Sequence, residues 1–548
     1  MTRIRPIVEV ARDLGLDPET DLIPYGHDKA KVRTEVLQRP RQRPGPGRLI
    51  LVSAITPTPA GEGKTTTTIG LSQAMGRLGI NACAALREPS LGPCFGMKGG
   101  GTGGGASRLE PSVDINLHFN GDFHAITAAH NLLAAVLDNH LHFKQAPGVD
   151  ARRVFWRRVL DVNDRSLRSA VLGLGGPLQG MPRETGFDIT AASEIMAMLC
   201  LAKDAEDLRA RLDRTLVALG QEREPIRAGQ LGCTGAMMAL LKDALLPNLV
   251  QTREGTPVLV HGGPFANIAH GCNSLIATKT ALHLADWAIT EAGFGFDLGA
   301  EKFFHLKCTE GGINPDGVVL VATARALKMH GGTAAGDLQA PDPKAVRRGL
   351  GNLEKHIETA KHFGYTPVVA INRFEADSED ELKVILARCA DLGCPAVLTD
   401  HFMRGGEGAE ALAQTLIEHV DQPAPPFQAL YRSEHSVKEK IRRVACSAYG
   451  ARDILLTKTA ERDLRQVKRL GYDHLPICIA KTQSSLSDDP KRVGRPQEFD
   501  VTVRNVQINA GAGFLVILTG NIMRMPGLPR TPQAEKIDLV DGEITGLR

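Results

Sequence analysis

Aromatic residues are scarce in this chain of 548 residues: they make up 4% of it, with two tryptophans. That is too few for the rows of stacking rings that hold single-stranded nucleic acid. Excess charge is scarce as well. Sixty-five Lys and Arg stand against 62 Asp and Glu, a formal net charge of +3, and the basic residues are scattered, which gives nucleic acid no patch to bind. No apolar run reaches the ~18 residues of a membrane span. The first 21 residues mix charged with apolar positions and lack the apolar core of a signal peptide. The ten cysteines stand singly, with no C-x-x-C pair, so neither a zinc site nor a redox motif is expected. A disulfide scaffold is not expected at this size either. These absences leave a protein of the reduced cytoplasm, with neither nucleic acid nor membrane as partner.

The composition that remains, 43% hydrophobic and 23% charged, is that of a globular protein with a large core and several domains. Apolar runs bounded by turn residues recur at 49–55, 81–86, 258–260, 287–290, 318–322, 368–371 and 396–398. Helical patterns lie between several of them, as at 66–78, 266–284 and 350–363. Strands alternating with helices predict α/β units around a mostly parallel sheet. Helix-rich insertions are expected at 125–145 and 190–222, and the charge-dense stretch 152–168 reads as a solvated helix face. Proline-bearing stretches at 340–343 and 421–426 read as boundaries. The expected layout is a large P-loop NTPase-like domain over 1–340 and two smaller α/β domains over 341–426 and 427–548.

The run at 49–55 leads into Thr58, Pro59, Ala60, Gly61, Glu62, Gly63, Lys64 and Thr65, and then into a helical pattern. A strand, a Gly-rich turn, Gly-Lys-Thr and a helix start form a phosphate-binding loop, although Thr58 stands where the usual pattern has its first Gly. Glycines let backbone N–H groups converge on phosphate oxygens, and the helix N-terminus adds partial positive charge. Lys64 would reach the β/γ-phosphates, and the Thr65 hydroxyl would help to hold Mg²⁺.

Further polar residues follow other strands, where a parallel sheet places its crevice. Arg87 and Glu88 follow the second strand; an Arg there would grip a carboxylate or phosphate with two parallel hydrogen bonds. Six glycines in the seven residues 99–105 read either as a flexible linker or as a flap over substrate. Asp122 lies in a segment dense in acids, amides and imidazoles, whose histidines at 118, 124 and 130 match no zinc spacing. The turn at 261–271 repeats the strand–Gly–helix plan, with structural packing as its other reading. Phe294, Phe374 and Phe402 sit on loops after strands, where several aromatics would form a pocket for a flat ring. These residues leave three readings open: an ATP-dependent enzyme that activates a carboxylate for some acceptor, a nucleotide switch, and an inactive relative used for binding. The switch reading lacks its N-K-x-D motif, since 372–375 read Asn-Arg-Phe-Glu. The inactive reading expects loss of Lys64 or Arg87, and both are present.

Six blocks together carry a resemblance: TPTPAGEGKTTT (56–67), REPSLGPCFGMKGG (87–100), DINLHFNGDFHA (114–125), GPFANIAHG (263–271), EAGFGFDLGAEKF (291–303) and PICIAKTQSSL (476–486). They resemble the formate–tetrahydrofolate ligases, also called formyltetrahydrofolate synthetases, over essentially the whole chain. The resemblance implies that ATP, formate and tetrahydrofolate give ADP, phosphate and 10-formyltetrahydrofolate through formyl phosphate. It also implies Mg²⁺, a monovalent cation such as K⁺ or NH₄⁺, and a homotetramer. By position it implies that residues 58–65 hold ATP, that Lys64 and Arg87 are catalytic, with Arg87 on formate or formyl phosphate, and that Glu88 lies near the monovalent cation. Asp122 would be an acid near the folate amine, and Phe294 and Phe374 would line the ring pocket. Phe402 stands where the family usually has Trp, which keeps a ring but shortens the stack and removes an indole donor. Only about 48 residues precede the first strand, too few for the dehydrogenase/cyclohydrolase unit of many eukaryotic members, so the chain resembles the stand-alone prokaryotic type.

Overall fold

Continuous apolar runs become the centre of one large sheet. The computed structural model describes residues 4–547 apart from 42, 46, 98, 99 and 423–426. Twelve strands form the sheet: β1 (Leu22–Pro24), β2 (Ala30–Val32), β3 (Arg48–Ala54), β4 (Ala82–Leu86), β5 (Gly103–Gly104), β6 (Ser107–Glu110), β7 (Asn248–Thr252), β8 (Pro257–Val260), β9 (Trp287–Glu291), β10 (Gly317–Ala322), β11 (Val368–Asn372) and β12 (Ala396–Thr399). The order is β1-β2-β7-β8-β4-β9-β3-β10-β11-β12, with β6 on β7 and β5 on β6. From β8 to β12 every neighbouring pair is parallel. The strands on the other side, including the β1–β2 hairpin of the N-terminal extension, are antiparallel.

Helices cover both faces, as buried parallel strands require. They include α1 (Lys64–Arg77), α2 (Asp122–His142), α3 (Leu275–Leu284), α4 (Ala324–His330), α5 (Pro343–His362), α6 (Glu379–Asp391) and α7 (Glu410–Val420). Strand β3 shows the alternation that makes this work. Leu49 and Leu51 join one apolar cluster with Leu353 and Ile357 of α5, and Ile50 and Val52 join another with Leu71 of α1 and Leu412 of α7. Each fully buried Leu or Ile contributes about 1.5–3 kcal/mol.

Three expectations need correction. The stretch 341–426 is not separate from the first sheet: β11 and β12 extend it by pairing on β10 and on each other. The proline that suggested a linker starts a helix instead, because the Asp342 side chain caps α5 and Pro343 opens its first turn. The other boundary, 421–426, falls largely on 423–426, outside the described residues. The stretch 152–168 is no helix. Val149–Val154 and Arg158–Leu160 are strands and Arg165–Arg168 a 3₁₀ turn. Val149–Val154 is an edge strand, and edge strands carry charge for the same solvation reason as helix faces. The Gly-rich segment is not wholly irregular, since Gly103 and Gly104 pair with Arg108 and Ser107; its residue 99 lies outside the described set.

Insertions at 149–227 add small sheets and the helices Glu194–Leu201 and Ala205–Arg214. Past residue 427 a second sheet forms from β13 (Asp453–Leu456), β14 (Ile477–Ala480), β15 (Asp500–Asn509) and β16 (Phe514–Thr519), in the order β13-β15-β16-β14. The helix α8 (Lys458–Arg469) packs on it, and an apolar cluster of its own, including Ile454, Val467 and Leu515, fills it.

Candidate active site

The loop after β3 is shaped by two glycines and one acid. Gly61 and Gly63 have φ of 81° and 79°, and a Cβ on Gly63 would lie 2.6 Å from Asn372 Nδ2, so no larger residue fits there. Glu62 was expected among the ATP contacts, but its side chain is buried in the loop's own framework. One carboxylate oxygen accepts from the Thr58 backbone N–H at 2.6 Å, and the other accepts from the Thr323 hydroxyl. Its carbonyl accepts from Asn372 Nδ2 at 3.2 Å. Glu62 therefore holds the loop in shape, with both carboxylate oxygens engaged by the fold. Thr58 is buried, while Pro59 and Ala60 are exposed at the tip. The Gly61 carbonyl accepts from Arg325 Nη2 at 2.7 Å. The first turn of α1 thus points its free N–H groups into the crevice beyond the strand ends.

Lys64 opens α1 and is half-buried. Burial pushes its ammonium below the ordinary value; Glu291 opposes this and Arg87 adds to it. An arriving anion would favour the charged form. Thr65 Oγ1 donates to Glu291 Oε2 at 2.8 Å. Arg87, just past β4, donates from Nη1 to the Pro264 carbonyl at 3.3 Å and places Nη2 3.7 Å from Glu291 Oε1. Its Nε is buried and has no partner. Gly293 leaves the room, since a Cβ there would lie 2.8 Å from Arg87 Nη1. Three adjacent parallel strands, β4, β9 and β3, therefore bring together Arg87, Glu291 and the Lys64–Thr65 turn. Sequence reasoning assigned Glu291 no role of its own. Its signal was an acid closing the buried run Ala288, Ile289, Thr290.

Asp122 and Glu88 form a second group. Asp122 is buried at the first position of α2. Its Oδ1 accepts from Lys31 Nζ at 2.7 Å and its Oδ2 from Asn248 Nδ2 at 2.8 Å. Lys31, fully buried, also donates to the Leu246 carbonyl at 3.1 Å. Glu88 is buried, with Oε2 unpartnered. Burial first, and then the Asp122 carboxylate beside it, hold its carboxyl well above the ordinary range, with Lys31 opposing. Crowding beside a second carboxylate in a buried site thus favours the neutral form of Glu88. Lys31 gave no sequence signal, because a lysine in a polar loop reads as a surface residue.

The three phenylalanines rest on different supports. Phe294, half-buried just past β9, has φ of 58°, a conformation of about 1–3 kcal/mol strain for a bulky residue. The Arg325 guanidinium lies 4.7 Å from the centre of the Phe374 ring, so the same arginine touches the loop after β3 and this ring. Phe402 is 43% exposed. Its carbonyl accepts from the Ala106 N–H at 2.8 Å, and a Cβ on Gly104 would lie 3.0 Å from its ring. The block 476–486 has a structural part: Lys481 Nζ lies 2.8 Å from Asp297 Oδ2, both buried, which locks the second sheet onto the segment after β9.

Among the described residues no three His, Cys, Asp or Glu gather as a metal cage. Mg²⁺ that arrives with a nucleotide needs only one or two protein ligands. The Thr65 hydroxyl and Glu291 carboxylate, side by side and oxygen-only, suit that hard cation.

A family model for formate–tetrahydrofolate ligase matches residues 1–548. The chain is 53% identical over 547 residues to the formate–tetrahydrofolate ligase of Bacillus licheniformis, covering 100% of this chain and 98% of the relative. It is 55% identical over 544 residues to that of Hyphomonas neptunium, covering 99% and 98%. It is 54% identical over 546 residues to that of Zymomonas mobilis, again covering 99% and 98%.

Proposed function

Since this chain belongs to the formate–tetrahydrofolate ligase family, we propose that it uses ATP to join formate to tetrahydrofolate, giving 10-formyltetrahydrofolate, ADP and phosphate through formyl phosphate. The observation that carries this reading is the meeting of Arg87, Glu291 and Thr65 at the ends of adjacent strands. It sets a carboxylate-gripping guanidinium beside a P-loop-like phosphate cradle.

The chemistry follows from what formate lacks. Its carboxylate offers only oxide as a leaving group. The N–H groups at the start of α1 and the Lys64 ammonium hold the β- and γ-phosphates. Arg87 holds formate bidentately. A formate oxygen attacks the γ-phosphorus in line, the P–O bond to ADP breaks, and Lys64 and Arg87 stabilise the charge on the transferring group. The folate amine then attacks the formyl carbon. The C–O bond to phosphate breaks, and phosphate leaves with the oxygen that formate brought. Asp122, held in place by hydrogen bonds from Lys31 and Asn248, favours the positive charge that develops on the attacking amine.

Thr65 and Glu291 would hold Mg²⁺, which when bound would neutralise β/γ-phosphate charge. The unpartnered Glu88 oxygen would take K⁺ or NH₄⁺. Phe374, backed by Arg325, and Phe294 and Phe402 would frame a flat ring. The same premise supports a homotetramer in the cytoplasm. Among the described residues no helix is long and apolar enough to cross a membrane.

Omission of each substrate tests the reading. Formyltetrahydrofolate should form only when ATP, formate and tetrahydrofolate are all present. ADP release that continues undiminished without formate would refute it.

A further inference from the structure

A cavity of about 790 Å³ opens between the inserted segment and the second sheet, and none of its lining residues belongs to the site above. Eight arginines line it against three acids. The acids are occupied by the fold. Asp188 accepts from Arg157 at 2.9 Å and lies 3.0 Å from Arg524. Glu194 accepts from the Gly511 and Ala512 N–H groups at 2.8 and 3.2 Å. Asp463 accepts from the Val506 N–H at 3.1 Å. Arg152 and Arg153 pair with Asp150, outside the lining, at 3.1 and 3.4 Å, and Arg462 lies 3.8 Å from Asp463, so the positive charge left over is that of Arg223, Arg465 and Arg469. Among the described residues no acid lies within ion-pair distance of Arg223, Arg465 or Arg469, and Arg153 has a buried Nη1 without a hydrogen-bond partner.

The arrangement is directional. Arg462, Arg465 and Arg469 recur at i, i+3 and i+7 along α8, which puts them on one helix face. Like charges so spaced destabilise a helix by a few tenths of a kcal/mol. Arg152, Arg153 and Arg157 come from the inserted segment on the opposite wall. A concave site lined by one sign of charge focuses its field and concentrates the opposite ion. Phe155, Trp156, Val506 and Ile508 add apolar lining, which suits methylene groups between charges. The cavity also adjoins the active site along α2. His130, on its wall, is eight residues from Asp122, about 12 Å along the helix.

We propose that this cleft binds a linear oligo-anion, a chain carrying several carboxylates or phosphates. In the folate reading, on which this clause rests, it takes the glutamate tail of the substrate. Calorimetric titration of the full-length chain with penta-γ-glutamate and with tripolyphosphate, without ATP or formate, tests this directly. Saturable binding that weakens with salt is expected, and Arg465→Glu with Arg469→Glu should weaken it at least about tenfold, the equivalent of one charge-assisted contact. Activity on monoglutamyl tetrahydrofolate should not change. Arg223→Glu serves as the second variant if the first fails to fold. Binding of the peptide alone assigns a carboxylate chain, and binding of tripolyphosphate alone a phosphate chain. Binding of neither, or binding that charge reversal leaves unchanged, overturns the proposal. Because the titration needs no turnover, it can fail while the ligase reaction stands, and can succeed if that reaction is disproved.

Discussion

The Thr65 hydroxyl donates to Glu291 Oε2 across 2.8 Å, joining the first turn of α1 to the end of β9. The contact holds two oxygens side by side, one at the start of α1 and one at the end of β9. Glu291→Gln keeps a hydrogen-bond acceptor and removes the charge. The expected result is a kcat lowered by about 10²–10³, as for loss of one preorganised electrostatic contact, with the Mg²⁺ concentration for half-maximal rate raised. Steady-state rates across a Mg²⁺ titration read both. An unchanged Mg²⁺ dependence would remove Glu291 from the metal site.

Lys31 and Asp122 are a fully buried ion pair at 2.7 Å. Removing one partner strands the other: Lys31→Met leaves the Asp122 charge beside Glu88 with no cation. Such uncompensated burial costs about 3–5 kcal/mol. Urea unfolding should show that loss with the slope unchanged. A loss under about 1 kcal/mol would contradict a structural role for the pair.

These two contacts mark what the sequence could and could not disclose. The strand, the glycines and Lys64–Thr65 were legible because local geometry demands those residue types in that order. Arg87 was legible because it follows an apolar run. The framework role of the Glu62 side chain was not legible, because a polar loop residue looks available until Thr323, some 260 positions away, is seen to hold it. Lys31 and Glu291 act through partners from distant strands, and no local pattern encodes such pairs. The segment at 266–284 was read as one helix, yet α3 begins only at Leu275, capped by Ser274. Its first part instead turns through Gly271 at φ of 68° and bridges Cys272 to Ala292. The π-helical turns Phe296–Ala300 and Phe303–Cys308 follow a period that a 3.6-residue search does not detect.

Glu194 supplies a pH dependence. Burial pushes its carboxyl up from 4.5 to about 7, although two backbone N–H groups favour the charged form. The folded state therefore prefers the protonated acid. This contribution is fully present below pH ~4.5 and is lost as pH rises through ~7, a change of about 3 kcal/mol. Glu194→Gln keeps an acceptor for the same N–H groups and does not titrate. The stability of the native chain minus that of the variant should fall between pH 4.5 and 8. Parallel stability–pH curves would contradict the assignment.

Of the three phenylalanines proposed to frame a flat ring, Phe374 has the Arg325 guanidinium 4.7 Å from its ring centre. Phe374→Leu keeps apolar volume and removes the π-face. Stacking on one aromatic contributes about 1–3 kcal/mol to binding a flat ring. KM for tetrahydrofolate or ATP should therefore rise about 5–100-fold with kcat nearly unchanged. A fall in kcat at constant KM would place Phe374 in the chemical step instead.

The central claim is that formate is phosphorylated before the folate amine attacks. Formate labelled with ¹⁸O in both oxygens should deliver one ¹⁸O to each phosphate released during full turnover, read by mass spectrometry, because the oxygen that attacks the γ-phosphorus leaves with it. Phosphate free of ¹⁸O, formed at the rate of 10-formyltetrahydrofolate, would contradict the account.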